Sequence, residues 1–167
     1  MSEEDATAVS AESDSDDLEL HRRLGVELFN RVWDLLGLEG RTPEQDAEMI
    51  HAAHASAYHW SRVGEGPRLA RAEWQCSWVY AELERAEPAL YHAHRCEAVC
   101  RQHADELEDF DLPAMHEALA RAHLVAGNRQ EAMHRLRMAT ELCEQITDPE
   151  DREIIKAQID SIATAAA

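Results

Sequence analysis

The chain has 167 residues, 45% of them hydrophobic, which suits one domain with a real core. Its formal charge of −18 is uneven: residues 1–20 hold eight acids and no base, and the rest carries 26 acids against 16 bases. A body this acidic repels phosphate backbones and lacks the cationic face that draws a protein to an anionic bilayer, so neither nucleic acid nor membrane is expected as a partner.

Residues 1–16 are almost all Ser, Glu, Asp and Ala, with no large apolar side chain beyond the initial Met1 except Val9. They bury too little to offset their ordering entropy and read as a disordered acidic tail, leaving 17–167 as one helical domain. No apolar run approaches the ~20 residues that span a bilayer, and the acidic start is unlike a signal peptide, so the expected location is cytoplasmic. The four cysteines (Cys76, Cys96, Cys100, Cys143) lack a secreted-scaffold spacing and read as thiols.

Five prolines mark helix starts, since a first-turn proline loses no hydrogen bond. Thr42-Pro-Glu-Gln45 reads as a capping box and Asp148-Pro149 as a cap plus proline. With the glycine breaks at 37–40, 64–66 and 127, the 3.6-residue periodicity predicts helices at about 17–37, 43–62, 67–84, 88–106, 113–126, 129–146 and 149–163. No stretch alternates as a strand does.

Sliding the chain by 43 residues superposes two helix pairs, with small residues recurring at Ser77/Ala120, Ala89/Ala132 and Cys96/Ala139. Helices approach closely only where side chains are small, so the pattern predicts antiparallel hairpins that stack on one another. The run Leu119-Ala120-x-x-His123-x-x-x-Gly127-x-x-x-x-Ala132-x-x-x-Leu136-x-x-Ala139 resembles the tetratricopeptide-repeat family in its spacing of large and small residues. Leu24-Gly25 with Ala47, His51 and His54 forms a looser first copy. Its inter-helix loop should be about ten residues longer, since Gly25 to Ala47 is 22 positions and Ser77 to Ala89 is 12. Ile154, Ile155 and Ile159 should face inward from a final capping helix. The resemblance implies an all-α, right-handed α-solenoid of tandem antiparallel helical hairpins, about seven helices in all, and covers roughly 21–163. The string from His51 to Trp60 also looks like segments of bacterial tetratricopeptide-like proteins, which adds no activity.

Three constellations stand out. Glu48, His51, His54 and His59 crowd one helix, and Glu-x-x-His is the spacing by which helical bundles present metal ligands; Glu73 on the following helix is the nearest second carboxylate. His92, Cys96, Cys100 and His103 form a stripe of zinc- or copper-type donors, although the repeat explains the cysteines as small packing residues. Carrying over the family's first-helix positions, which line a concave groove, puts Arg22, Phe29, Trp74, Trp78 and Arg121 on one face. Tryptophan and arginine are enriched at binding hot spots, though tryptophans between hairpins also serve as packing.

No Gly-rich phosphate loop, Gly-x-Ser-x-Gly elbow or His-Glu-x-x-His occurs, which leans away from an enzyme without deciding the matter. The leading expectation is a scaffold or adaptor that holds a protein or peptide, with no cofactor and room for a homo-oligomer. The alternative is a metal-binding or metal-dependent protein using His51, His54, His59, Glu48 and Glu73 around a transition metal such as zinc or iron.

Overall fold

A computed structural model describes the backbone of residues 3–165 and the side chains of residues 15–165. Seven helices and no strand make up the described residues: α1 (Glu3–Leu36), α2 (Pro43–Val63), α3 (Gly66–Glu82), α4 (Ala86–Gln102), α5 (Asp111–Val125), α6 (Arg129–Cys143) and α7 (Pro149–Ala165). The side chains of the tail expected at 1–16 lie, but for the last two residues, outside the described ones, while the backbone is helical from Glu3, so α1 begins earlier than the expected 17.

Local chemistry explains the helix ends. Thr42 Oγ1 accepts the Gln45 N–H while the Gln45 side chain accepts the Thr42 N–H, which is the reciprocal box the sequence predicts. Asp148 Oδ1 accepts the N–H groups of Glu150 and Asp151, satisfying two donors that have no partner within α7. Gly64, at φ 82°, ends α2 in the left-handed region that only glycine enters without strain.

Helices α1/α2, α3/α4 and α5/α6 pair as hairpins. Successive hairpins meet through α2 on α3 and α4 on α5, with α1 touching α3, α3 touching α5, and α7 closing on α5 and α6. Among the described residues α1 and α2 do not pack against α5, α6 or α7, a nearest-neighbour pattern consistent with a helical repeat. All the small residues marking the crossings are at most 2% exposed, and Ser77 Oγ donates to the Ala89 carbonyl at 2.9 Å. Residues equivalent under the 43-residue shift sit against one another: Trp74 bonds Glu117, and Arg121 lies over Trp78.

The first hairpin departs from its expected register. Its connection is 37–42, against 83–85 and 126–128 in the other two, so the loop is only slightly longer. Ala47 is exposed. The close crossing is instead Gly25 against the far end of α2, where Ser56 Oγ donates to the Gly25 carbonyl at 2.8 Å. A Cβ on Gly25 would sit 2.8 Å from Trp60 Cε2, so the α1/α2 approach at this point requires glycine. Ile154 is a second correction: it is 55% exposed, and Ile155, Ile159 and Ile162 are the buried face of α7.

Candidate functional site

The first helix of each hairpin and α7 enclose a half-open cavity of about 410 Å³, within the size range of ligand sites. Phe29 and Trp33, one turn apart on α1, form one wall; Trp74 and Met115 form the back; Ile154 and Ile155 of α7 face them. Cys96 and Cys100 of α4 reach its floor. Ile154 on its wall and Val26 (45% exposed) in the adjoining hollow leave apolar surface open on this face. A fully buried side chain of that size gains ~1.5–3 kcal/mol over an exposed one, so covering Ile154 favours any occupant.

The charges lining the cavity are mostly neutralised internally. Arg71 holds Asp111 with two bonds, Nε to Oδ1 at 2.7 Å and Nη2 to Oδ2 at 2.9 Å, and reaches Glu108 at 2.8 Å. Its guanidinium also lies 4.5 Å from the Phe110 ring centroid. Arg68 differs. It is exposed, rests 5.7 Å from the Trp60 ring centroid and has no carboxylate partner among the described residues. It lines both this cavity and a smaller adjoining hollow of about 190 Å³ with Val26, Asn30 and Trp60. Asp151 stands on the α7 wall, where burial and the neighbouring Asp148, Glu108, Asp109 and Glu150 raise its pKa. The groove is thus polarised, with a free cation toward α1 and negative charge on α7.

The thiols on the floor interact with each other. A hydrogen bond to Cys100, reinforced by burial, pushes the Cys96 thiol well up. The same bond, with the Arg71 guanidinium nearby, holds Cys100 below its ordinary value.

Of the residues the sequence assigns to the groove, Phe29 and Trp74 line it. The Trp74 indole N–H is consumed internally, donating to Glu117 Oε2 at 2.9 Å, and Glu117, fully buried, accepts the Arg121 Nε–H at 2.8 Å. Arg121 in turn covers the Trp78 ring at 3.9 Å from its centroid, so Trp78 and Arg121 serve the packing between α3 and α5 and do not line the cavity. Arg22 pairs with Glu65 at 3.0 Å, away from the groove. Trp33, Arg68, Met115 and Ile154 went unrecognised; Trp33 carried a usable signal, being four positions after Phe29 on the same helix face.

The histidine-rich helix α2 lies between α1 and α3, and its titratable groups part accordingly. Glu48 binds Arg31 of α1 at 2.8 Å, and His59 Nδ1 lies 2.7 Å from His21 Nδ1 of α1. His51 is exposed beside Pro43 and Asp46. His51 also borders Leu83 and Arg85 at the α3/α4 turn, but it is His54 that turns toward the bodies of α3 and α4, where its Nε2 lies 2.8 Å from the Tyr80 hydroxyl. Glu73 is there as well, its Oε2 2.7 Å from His92 Nδ1. The set that comes together is therefore His54, Glu73, Cys76, Tyr80 and His92, while Glu48, His51 and His59 stand elsewhere. Burial, and then the His92 ring, lowers the His54 pKa; burial raises Tyr80 and pushes the Cys76 thiol far up. The α4 stripe divides too: His92 joins this cluster, Cys96 and Cys100 face the cavity, and His103 bonds Glu106 at 2.8 Å.

Comparison with protein-family models, curated proteins and solved structures returned no match. No described helix is long and apolar enough to cross a membrane.

Proposed function

We propose that the chain is a short tetratricopeptide-like array, a right-handed solenoid of three hairpins and a capping helix, that binds a peptide segment of a partner protein in the groove between α1, α3, α5 and α7. The observation that carries this reading is the half-open apolar cavity of about 410 Å³ with an arginine at its edge, Arg68, that has no carboxylate partner among the described residues. An apolar anchor side chain enters between Trp33, Met115 and Ile154, an acidic neighbour meets Arg68, and a basic one meets Asp151. Extension of the cavity into the second hollow past Phe29 and Arg68 favours an elongated occupant over a compact small molecule. Fold likeness alone is a weak warrant for function, so the weight rests on the cavity and its polarity.

Selection of random peptides against the immobilised full chain tests the reading. The expected consensus is a large apolar residue flanked by an acid on one side. Ile154→Asp and Arg68→Glu, both exposed and therefore harmless to folding, should each weaken the selected peptides about tenfold, ~1.4 kcal/mol. Tyr91→Phe, at an exposed position on α4 outside the cavity, should leave affinity unchanged. Peptides lacking an apolar anchor, or bound equally by both groove variants, would remove the proposal.

A further inference from the structure

Apart from the groove, the strongest concentration of metal-ligating atoms lies where α2, α3 and α4 meet. One donor atom each from His54, Cys76 and His92 lies within 4.8 Å of the other two. Donors around a tetrahedral zinc ion are ~3.3–3.8 Å apart, given Zn–N near 2.0–2.1 Å and Zn–S near 2.3 Å. Small side-chain adjustments therefore suffice to close the set on one ion.

The surroundings hold these donors in the manner of a metal site. His92 is 8% exposed, and with its Nδ1 proton directed at Glu73 Oε2, 2.7 Å away, the ring keeps a lone pair on Nε2. A buried carboxylate on the remote nitrogen is the arrangement that fixes the tautomer and plane of metal-bound imidazoles. Arg95 holds the other Glu73 oxygen at 3.4 Å. Tyr80 bonds His54 and stacks on His92, with centroids 5.7 Å apart and planes 11° apart, so both ring orientations are set.

Ordinary packing accounts for two pairs, His54 with Tyr80 and His92 with Glu73. It gives Cys76 no polar role: the thiol is fully buried, makes no hydrogen bond among the described residues, and still faces both imidazoles. One thiol and two imidazoles are borderline-soft donors, suited to zinc and unsuited to magnesium or calcium, which take oxygen.

We propose that His54, Cys76 and His92 bind one zinc ion, with Glu73 positioning His92 and solvent filling the remaining coordination place beside exposed His54. On binding, the Cys76 S–H bond breaks, its proton passes to solvent, and the thiolate electron pair forms the bond to zinc. The site shares no residue with the groove, so either proposal can fail alone.

The untagged, metal-stripped chain should take up one equivalent of zinc in competition with a chromophoric chelator. Cobalt should give the near-ultraviolet thiolate-to-metal band. Cys76→Ala should abolish that band although Cys96, Cys100 and Cys143 remain. Glu73→Gln should weaken zinc by ~10–100-fold, and His54→Ala, at an exposed position, at least as much. The proposal is overturned by absence of one-to-one zinc binding in the parent chain. A cobalt–thiolate band that survives Cys76→Ala, or zinc affinity unmoved by His54→Ala, overturns it equally.

Discussion

Where the second hairpin meets the third, the buried carboxylates have arginines: Asp111 has Arg71, Glu117 has Arg121, and the half-buried Glu97 has Arg135 at 3.0 Å. Where the first hairpin meets the second, the buried polar groups are histidines, a tyrosine and a thiol around Glu73, which Arg95 reaches at only 3.4 Å, while Arg41 pairs with Glu82 at the edge. The interior of one junction is thus joined by short arginine–carboxylate pairs, and that of the other by imidazole, phenol and thiol groups around a loosely paired carboxylate. A neutralised junction is complete within the chain and gains little from an added ion. The donor-rich junction leaves a buried thiol without a hydrogen bond among the described residues, which suits it to the proposed zinc.

The sharpest way to break this comparison is to open the neutralised junction. Arg121→Ala strands the Glu117 carboxylate at 0% exposure, and removing one partner of a buried pair costs ~3–5 kcal/mol. Chemical denaturation should show that loss, and Glu117→Gln in the same chain should restore part of it. A loss below ~1 kcal/mol would mean the pair is solvated and the two junctions are alike.

Gly25→Ala probes the inside of the first hairpin, which carries one face of the donor-rich junction. The new Cβ meets the Trp60 ring, whose planar body cannot swing aside as a flexible chain end can. Overpacking of this kind costs ~1–3 kcal/mol, to be read as a lowered unfolding midpoint with an unchanged denaturant slope. The penalty should shrink in Gly25→Ala/Trp60→Leu, which makes room at the same crossing.

Much of this architecture was legible in the sequence because punctuation and residue size are local properties. Prolines in first turns, the Thr42 box and small residues at crossings each act where they stand, and with the glycine breaks they placed α2 to α7 closely, whereas α1, which has no such mark at its start, begins at Glu3 and not near 17. Which neighbour a helix face meets is not local. Glu48, His54 and His59 share α2, but the buried stripe of Met49, Ala52, Ala53 and Ser56 turns Glu48 and His59 toward α1 and His54 toward α3. A helical wheel gives angles between residues and not the identity of what lies opposite. The same limit hid Arg68, whose significance is that no acid among the described residues reaches it. Trp78 and Arg121 misled for a related reason: hot-spot chemistry on a groove-lining helix was used between two repeats.

His116 offers a pH test of the neutralised junction. The ring is 7% exposed and its Nδ1 has no hydrogen-bond partner; burial, Arg135 and His134 lower its pKa, with Glu97 opposing. The unfolded chain, with His near 6.5, therefore takes up the proton first as pH falls. Stability should be full above that value and decline as pH drops through it toward the depressed folded pKa. His116→Gln should flatten the dependence of Tm on pH between 7 and 5; an equal slope in both proteins would show that the ring is reached by water.

The smallest expected difference compares two helix starts. Thr42 holds α2 with a reciprocal pair of bonds, at 3.3 and 2.9 Å, whereas Asn128 holds α6 with a single bond from the Glu131 N–H at 3.3 Å. Cap removal costs ~0.5–2 kcal/mol, and the reciprocal box has more to lose, so Thr42→Ala should be the costlier of the two by a few tenths. Hydrogen exchange at Gln45 and Glu131 reads each start directly. Because α2 carries His54 at its middle, fraying from Thr42→Ala should stop before reaching the zinc donors. If zinc affinity falls with the cap, the first hairpin opens as one unit, and the two junctions then differ in cooperativity as well as in chemistry.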